Sequence, residues 1–195
     1  MRTAALGFAC AALVTELAWL LFFDGSLGWI TATAVAVVAV QVGTLGRVRV
    51  VSVVVRVVLG LLLLGSVADR FGLLGGPGDA GVSWGSFDAF VDYTRTLLPG
   101  FVSGLASPAA VAATILEFGL GIALVAGLVP RITAAGTAGL LAVFMLAMWT
   151  SLGFAAMSAY AVPVLAGGAA LLVVAQKPVV ERISAAEQRV LPEPA

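Results

Sequence analysis

The sequence predicts an all-α membrane protein with six transmembrane helices, and three observations lead to this prediction. Hydrophobic residues make up 62% of the 195 residues, charged residues only 10%, and the mean hydropathy is +1.15. A soluble domain has about 45–50% apolar and about 25% charged residues. Six apolar stretches each approach the length of about 20 residues that a helix needs to cross a bilayer. The alternation of apolar and polar residues that a transmembrane β-barrel requires is absent from the sequence.

The six apolar stretches follow one another with short polar breaks, except between the third and the fourth. We predict spans at 3–23, 27–45, 50–68, 109–128, 132–152 and 158–175. The bilayer interior has no water to bond unpaired backbone groups, so each stretch is expected to be helical. This includes the valine-rich run 50–58, which would favour a strand in a soluble protein. The chain is therefore predicted to form one transmembrane domain, 1–175, followed by a cytoplasmic tail, 176–195.

The distribution of basic residues predicts the orientation of the helices, because cytoplasmic loops of membrane proteins are enriched in lysine and arginine. With the N-terminus inside, the outer segments carry only Arg70 and Arg95. The inner segments then carry Arg2, Arg47, Arg49, Arg131, Lys177, Arg182 and Arg189. This bias predicts a multi-pass protein of the plasma membrane with both termini in the cytoplasm.

The third connection, 69–107, is the only long loop between the predicted spans. Its glycine-rich stretch 75–78 indicates a turn. Residues 86–98 place apolar side chains at helical spacing, with Asp88 and Asp92 on the opposite side, which predicts an amphipathic helix on the outer membrane surface. Two interpretations are open: this helix covers the ends of the spans, or it forms the wall of a substrate entrance.

Three ionisable residues lie inside predicted spans: Glu16, Arg56 and Glu117. Such residues are costly in lipid and usually face the bundle interior or a water-filled cavity. At 1.5 Å per residue, the two carboxylates lie about 10–12 Å from the outer ends of their helices and Arg56 about 18 Å. Long side chains can cover that difference, so we predict that Arg56 and Glu117 approach within about 4 Å. The pair either fixes the helix packing alone or belongs to a polar pocket.

If a pocket is present, we expect it to open towards the outer half, with segment 86–98 as its roof and Arg56 and Gly60 as its floor. Its candidate residues are Arg56, Gly60, Arg70, Glu117, Gly121, Glu16 and Tyr160. Tyr160 is expected either to anchor its helix at the interface or to donate a hydrogen bond into the pocket. A polar head with an apolar tail suits such a site, and both a quinone and a lipid have this form.

The composition excludes several kinds of chemistry. The chain has no histidine and a single cysteine, Cys10, so it cannot hold haem, an iron–sulfur cluster or an intramolecular disulfide by itself. No metal site is predicted, because without histidine the four methionines are expected to serve packing rather than copper binding. The net charge of zero gives no reason to expect a nucleic-acid partner.

The spacing of charged residues and glycines resembles a known family. Arg56 is followed by Gly60 and Arg70, and later Glu117 is followed by Gly121, Gly127 and Arg131 at intervals of four, six and four. This pattern resembles the DoxX/DoxD family of small membrane proteins over about 50–175. Val67 stands where the family often has glycine, and Arg70 where it often has lysine. The resemblance implies a four-helix DoxX-like bundle. Spans within 1–45 add two N-terminal helices to this bundle, and segment 86–98 adds the outer amphipathic helix.

The resemblance implies a quinone-linked role, in which the chain is a subunit or partner of a membrane redox complex. Quinone is then the expected cofactor, and no cofactor is expected to be covalently bound. A redox protein is the expected partner, and association of the chain with further copies of itself is also expected. Two alternatives stay open: a non-catalytic anchor or assembly protein, and a small transporter of a lipid or an acid. The sequence does not assign an enzymatic reaction.

Overall fold

A computed structural model describes residues 1–175, and every regular element in this range is helical. The helices are α1 (Arg2–Phe22), α2 (Trp29–Gly43), α3 (Arg49–Arg70), α4 (Phe87–Leu97), α5 (Ala106–Ala126), α6 (Pro130–Leu152), α7 (Phe154–Ala159) and α8 (Val162–Ala175). A short 3₁₀ helix, Gly100–Leu105, leads into α5. The predicted tail 176–195 lies outside the described residues.

Four helices are long and apolar enough to cross a membrane: α1, α3, α5 with its preceding 3₁₀ helix, and α6. They contain 21, 22, 27 and 23 residues, and even the shortest is about 32 Å long, against about 30 Å of hydrocarbon. Large apolar side chains on their outward faces are exposed, such as Val14, Leu61, Ile115 and Val143. An aqueous protein would bury such side chains, so the fold indicates a multi-pass membrane protein. These helices correspond to predicted spans one, three, four and five.

The other two predicted spans differ from the structure. The second is an apolar helix of 15 residues, α2, which is about 22 Å long. The sixth was predicted as one helix over 158–175, but the structure divides this range between α7 and α8. Ala161 separates the two helices with a positive φ of 49°. Pro163 explains the break, because proline lacks a backbone N–H and is tolerated in the first turn of a helix but not in its interior.

Helix α8 is the central helix of the bundle, and its packing depends on small residues. It packs against α1, α2, α3 and α6. A Cβ atom on Gly167 would lie 2.8 Å from the Cα atom of Ala9 in α1, and one on Gly168 would lie 2.8 Å from Val38 in α2. Gln41 also donates a hydrogen bond of 3.3 Å to the Gly168 carbonyl. Such close approach of helix backbones is the usual way in which helices associate within a bilayer.

The loops gather at two ends of the bundle. At one end, Arg2 at the start of α1 donates a 2.7 Å hydrogen bond to the Leu45 carbonyl in the α2–α3 turn. At the other end, which we call the α4 end, α4 packs against α5 and α6. There Ser151, near the end of α6, donates a 2.8 Å hydrogen bond to the Leu97 carbonyl of α4. The candidate site lies beneath α4.

Candidate functional site

A buried ion pair joins α3 to α5 beneath α4. Arg70 Nη2 lies 2.6 Å from Glu117 Oε1 and 2.7 Å from Glu117 Oε2. The two side chains are only 2% and 1% exposed. Arg70 is the last residue of α3, and Glu117 lies in the middle of α5. The predicted partner of Glu117 was Arg56, so the structure corrects this prediction.

The crossing of α3 and α5 explains why Arg70 and not Arg56 meets Glu117. The two helices cross at Gly60 and Gly121, where a Cβ atom on Gly60 would lie 2.9 Å from the Gly121 carbonyl oxygen. Because the helices run antiparallel, Arg56, four residues before Gly60, lies on one side of the crossing. Glu117, four residues before Gly121, lies on the other side, where α3 presents Arg70. The Arg56 guanidinium instead lies against Gly127, at the end of α5.

Further side chains complete the environment of Arg70. Its Nη1 donates a 2.8 Å hydrogen bond to Thr114 Oγ1, and its Nη2 donates one of 3.0 Å to Ser66 Oγ. Ser66 lies four residues before Arg70, and Thr114 three residues before Glu117, so each shares a helix face with its charged neighbour. Within residues 1–175, the buried Arg70 Nε has no hydrogen-bond partner.

Two aromatic rings cover the guanidinium of Arg70. Its Cζ atom lies 3.5 Å from the centroid of the Phe90 ring and 5.2 Å from that of the Trp84 ring. The two rings meet edge to face, with centroids 5.1 Å apart. A cation over an aromatic face is attracted by the ring quadrupole, and more strongly where water is excluded. Sequence reasoning did not identify Trp84, Ser66 or Thr114 as parts of the site, and it included Phe90 only as a member of the roof segment 86–98.

Asp69 holds the loop that carries Trp84. Its Oδ2 accepts hydrogen bonds from the backbone N–H groups of Ser83 and Trp84, at 3.1 and 3.0 Å. The side chain is only 5% exposed, and its Oδ1 has no partner in the described part of the chain. Hydrogen bonds to a charged group contribute about 1.5–3 kcal/mol each. By holding this backbone, Asp69 keeps the indole of Trp84 over Arg70, the residue that follows Asp69 in the sequence.

A cavity of about 490 Å³ lies next to the ion pair, between α3, α4, α5, α6 and α8. The polar side chains in its wall include Ser66, Arg70, Glu117, Tyr93, Thr94 and Tyr160. The remaining wall is mostly apolar, with contributions from Leu63, Phe90, Leu116, Leu141, Phe144 and Met148. The cavity thus has a polar region around one ion pair and apolar walls elsewhere, the usual composition of a small-molecule site.

Helix α4 covers the cavity, as expected for segment 86–98. The prediction of an amphipathic helix is confirmed: Ser86 caps α4 by accepting a 3.2 Å hydrogen bond from the Ala89 backbone N–H. Phe90, Val91 and Thr94 form its buried face. Phe90 and Thr94 also line the cavity, so the apolar face of α4 forms part of the cavity wall.

The hydroxyl of Tyr93 on α4 keeps its proton. Burial, together with a smaller contribution from the nearby phenol of Tyr160, raises the pKa of Tyr93 to about 12. At neutral pH the Tyr93 side chain is therefore a neutral hydroxyl that can donate and accept hydrogen bonds. Both phenols line the cavity.

The other predicted site residues lie elsewhere. Within the described range, the cavity wall does not include Arg56, Gly60, Gly121 or Glu16. The space beside Gly60 and Gly121 is filled by helix packing, so Gly60 does not form the expected floor and Gly121 does not line the cavity. Glu16 is 2% exposed on the buried face of α1, together with Ala12 and Trp19. The structure therefore brings together three of the candidate residues: Arg70, Glu117 and Tyr160.

No protein-family model, curated protein or solved structure matches this chain. Its class follows from its own composition and fold. Four helices are long and apolar enough to cross a membrane, and a cavity between the helices contains a buried ion pair. These features define a helical, multi-pass membrane protein with a cavity between its helices.

Proposed function

We propose that this cavity binds a small molecule with a planar, oxygen-bearing head and an apolar tail, and that quinone is its ligand class. The chain would serve as a subunit or partner of a membrane redox complex. The observation that carries the proposal is the Arg70–Glu117 pair, buried to 2% and 1% exposure, in the wall of an otherwise mostly apolar cavity. Buried charges within membrane helices usually mark functional sites.

The polar groups of the cavity suit the carbonyl oxygens of a quinone head. Tyr93 and Tyr160 provide hydroxyl groups that can donate to such an oxygen. The Arg70 Nε–H is buried without a partner within residues 1–175, and a ligand oxygen would satisfy this donor. The aromatic rings of Phe90 and Trp84 provide flat apolar surfaces near the head. A bound quinone would supply two-electron, two-proton redox chemistry, while these residues bind and orient it.

The resemblance to the DoxX/DoxD family supports the same proposal. It implied a quinone-linked role from a pattern that includes Arg70 and Glu117, and these two residues form the ion pair beside the cavity. Membership of this family is part of the proposal.

A non-catalytic anchor or assembly protein is the second candidate. The observation that favours it is the link between two helices, since Arg70 on α3 bonds both Glu117 and Thr114 on α5. In that case the pair would act only on helix packing. A transporter of a lipid or an acid is the third alternative, for which the cavity would serve as the binding site.

A cavity-filling variant separates ligand binding from anchoring. Ala113 lines the cavity on α5, so Ala113→Phe should fill part of the space and weaken binding of a short-chain ubiquinone about tenfold. The measurement is saturable quenching of tryptophan fluorescence, because Trp84 lies in the cavity wall. Ala126→Phe, at the exposed end of the same helix, is the matched control and should bind like the wild type. Quenching that does not saturate, or that is equal in both variants, would contradict the quinone proposal.

We further propose that all six predicted spans cross the plasma membrane, with both termini in the cytoplasm. Reporter fusions at Asp24, Asp79 and Gly153 should then report the outside, and fusions at Arg47 and Arg131 the inside. The reason is the excess of arginine in the segments that would face the cytoplasm. Paired alkaline phosphatase and fluorescent-protein fusions measure this directly. A cytoplasmic signal from the loop between α3 and α4 would show that the orientation is wrong.

A further inference from the structure

The charges of the described residues are divided between the two ends of the bundle. The end opposite α4, which we call the arginine end, carries Arg2, Arg47, Arg49, Arg56 and Arg131. Six of the seven acidic residues of 1–175 lie on the helix halves or loops nearer α4, and they are Glu16, Asp24, Asp69, Asp79, Asp88 and Asp92. The seventh, Glu117, lies in the middle of α5, where it is paired with Arg70. The arginine end is therefore a strongly positive surface within the described part of the chain.

Contacts place these arginines at one end. Arg2 bonds the Leu45 carbonyl, so the start of α1 meets the turn that contains Arg47 and precedes Arg49. The guanidinium of Arg56 lies against Gly127, which is four residues before Arg131. The positive surface thus extends from α1 across the start of α3 to the α5–α6 turn.

Arg56 is the most deeply placed of these five arginines. It lies seven residues, or about 10 Å, inside the start of α3. Gly127 makes room for it, since a Cβ atom at this position would lie only 2.9 Å from Arg56 Cζ. The carbonyl groups at the C-terminus of α5 favour a cation there, but they do not neutralise its charge. Arg56 Nε is buried and has no hydrogen-bond partner among residues 1–175.

The surface next to these charges is apolar. Exposed side chains at this end include Val50 at 71%, Val129 at 62% and Ile132 at 71% exposure. An anion from solution would gain nothing from these side chains. A molecule that joins a phosphate to acyl chains would contact the arginines and the apolar surface together.

We propose that the arginine end is a binding site for an anionic phospholipid, whose phosphate is held by Arg56 and Arg131 and whose acyl chains lie on α3 and α6. The planar guanidinium suits a phosphate, because it can donate two parallel hydrogen bonds to it. Basic residues at a membrane surface contribute about 1 kcal/mol each towards anionic lipid. The proposal does not depend on the ligand of the cavity at the α4 end.

The test compares the association of spin-labelled phosphatidylglycerol and phosphatidylcholine with the full chain in bilayers. The wild type should prefer phosphatidylglycerol. Arg56→Gln and Arg131→Gln should each lower this preference about fivefold, which is the factor that corresponds to about 1 kcal/mol. Arg95→Gln is the matched control and should leave the preference unchanged, because Arg95 is exposed on α4 at the opposite end.

The remaining variants separate charge from folding. Arg56→Lys keeps the charge and should keep most of the preference, whereas a role of Arg56 in packing alone would leave the preference intact in Arg56→Gln. Arg131 is exposed, so Arg131→Gln tests the proposal even if Arg56→Gln does not fold. Equal association of the two lipids with the wild type would overturn the proposal.

Two other results would assign the surface to a different anion and also overturn the proposal. The first is that inorganic phosphate displaces the labelled lipid at a concentration no higher than the concentration of unlabelled phosphatidylglycerol that is needed for the same displacement. The second is a preference for phosphatidylglycerol that appears only after Glu181, Glu187 and Glu193 are changed to glutamine in the full chain. That result would identify the acidic residues of 176–195 as the occupants.

Discussion

Replacing Glu117 by leucine should lower the free energy of unfolding by about 3–5 kcal/mol, because Arg70 would stay buried without its carboxylate. Glu117→Gln should be milder, since the amide oxygen can still accept a hydrogen bond from Arg70. The double variant Arg70→Leu/Glu117→Leu should also be milder than Glu117→Leu, because it leaves no unpaired charge. Unfolding in mixed micelles with increasing denaturing detergent measures all three differences.

The exposed pair Arg95–Asp92 on α4 provides the matched control for these variants of the buried pair. Its side chains are 53% and 72% exposed, so Asp92→Ala should cost at most about 1 kcal/mol. If Glu117→Leu and Arg70→Leu instead add independently in the double variant, the buried pair makes no contribution as a pair. If all these losses are negligible, the ion pair does not form in the membrane.

The second large effect is expected at the crossing of α3 and α5. A Cβ atom on Gly60 would lie 2.9 Å from the Gly121 carbonyl oxygen and 2.8 Å from Val125 Cγ2. Gly60→Ala must therefore push the helices apart, and overpacking of this kind typically costs about 1–3 kcal/mol. The same detergent titration measures this loss, and the larger separation should also reduce binding of the short-chain ubiquinone.

Gly65→Ala is the control for Gly60→Ala, because Gly65 lies on the same helix and has no atom within 4 Å of its Cβ position. There the substitution should be neutral or should stabilise the helix by up to about 1 kcal/mol, since alanine favours helix more than glycine does. Equal effects of the two substitutions would mean that α3 and α5 do not approach closely at Gly60.

Composition and periodicity were sufficient to predict the helical fold and α4. Apolar length located the four long helices, and apolar side chains at helical spacing with charged residues on the opposite side located α4. The break of the predicted sixth span was missed because its apolar composition continues through Tyr160 and Ala161. Pro163 was the local signal that a new helix begins there.

The partner of Glu117 could not be predicted, because depth along a helix does not determine which residues face each other. That depends on where two helices cross, and the crossing at Gly60 and Gly121 is a property of the packed pair. Gly60 was expected to leave space for a ligand, whereas in the structure Gly60 and Gly121 each leave space for the other helix. Trp84 was missed for a related reason, since it is fixed by Asp69, which lies 15 positions earlier in the sequence.

The last turn of α3 is attached both to the loop between α3 and α4 and to helix α5. Asp69 holds the backbone of the loop between α3 and α4, and the next residue, Arg70, holds Glu117 on α5. Consecutive residues point about 100° apart around a helix, so one turn carries both attachments in different directions. A rotation of this turn about the helix axis would displace both the loop and the guanidinium. This single turn therefore couples the position of the loop between α3 and α4 to the position of the buried ion pair.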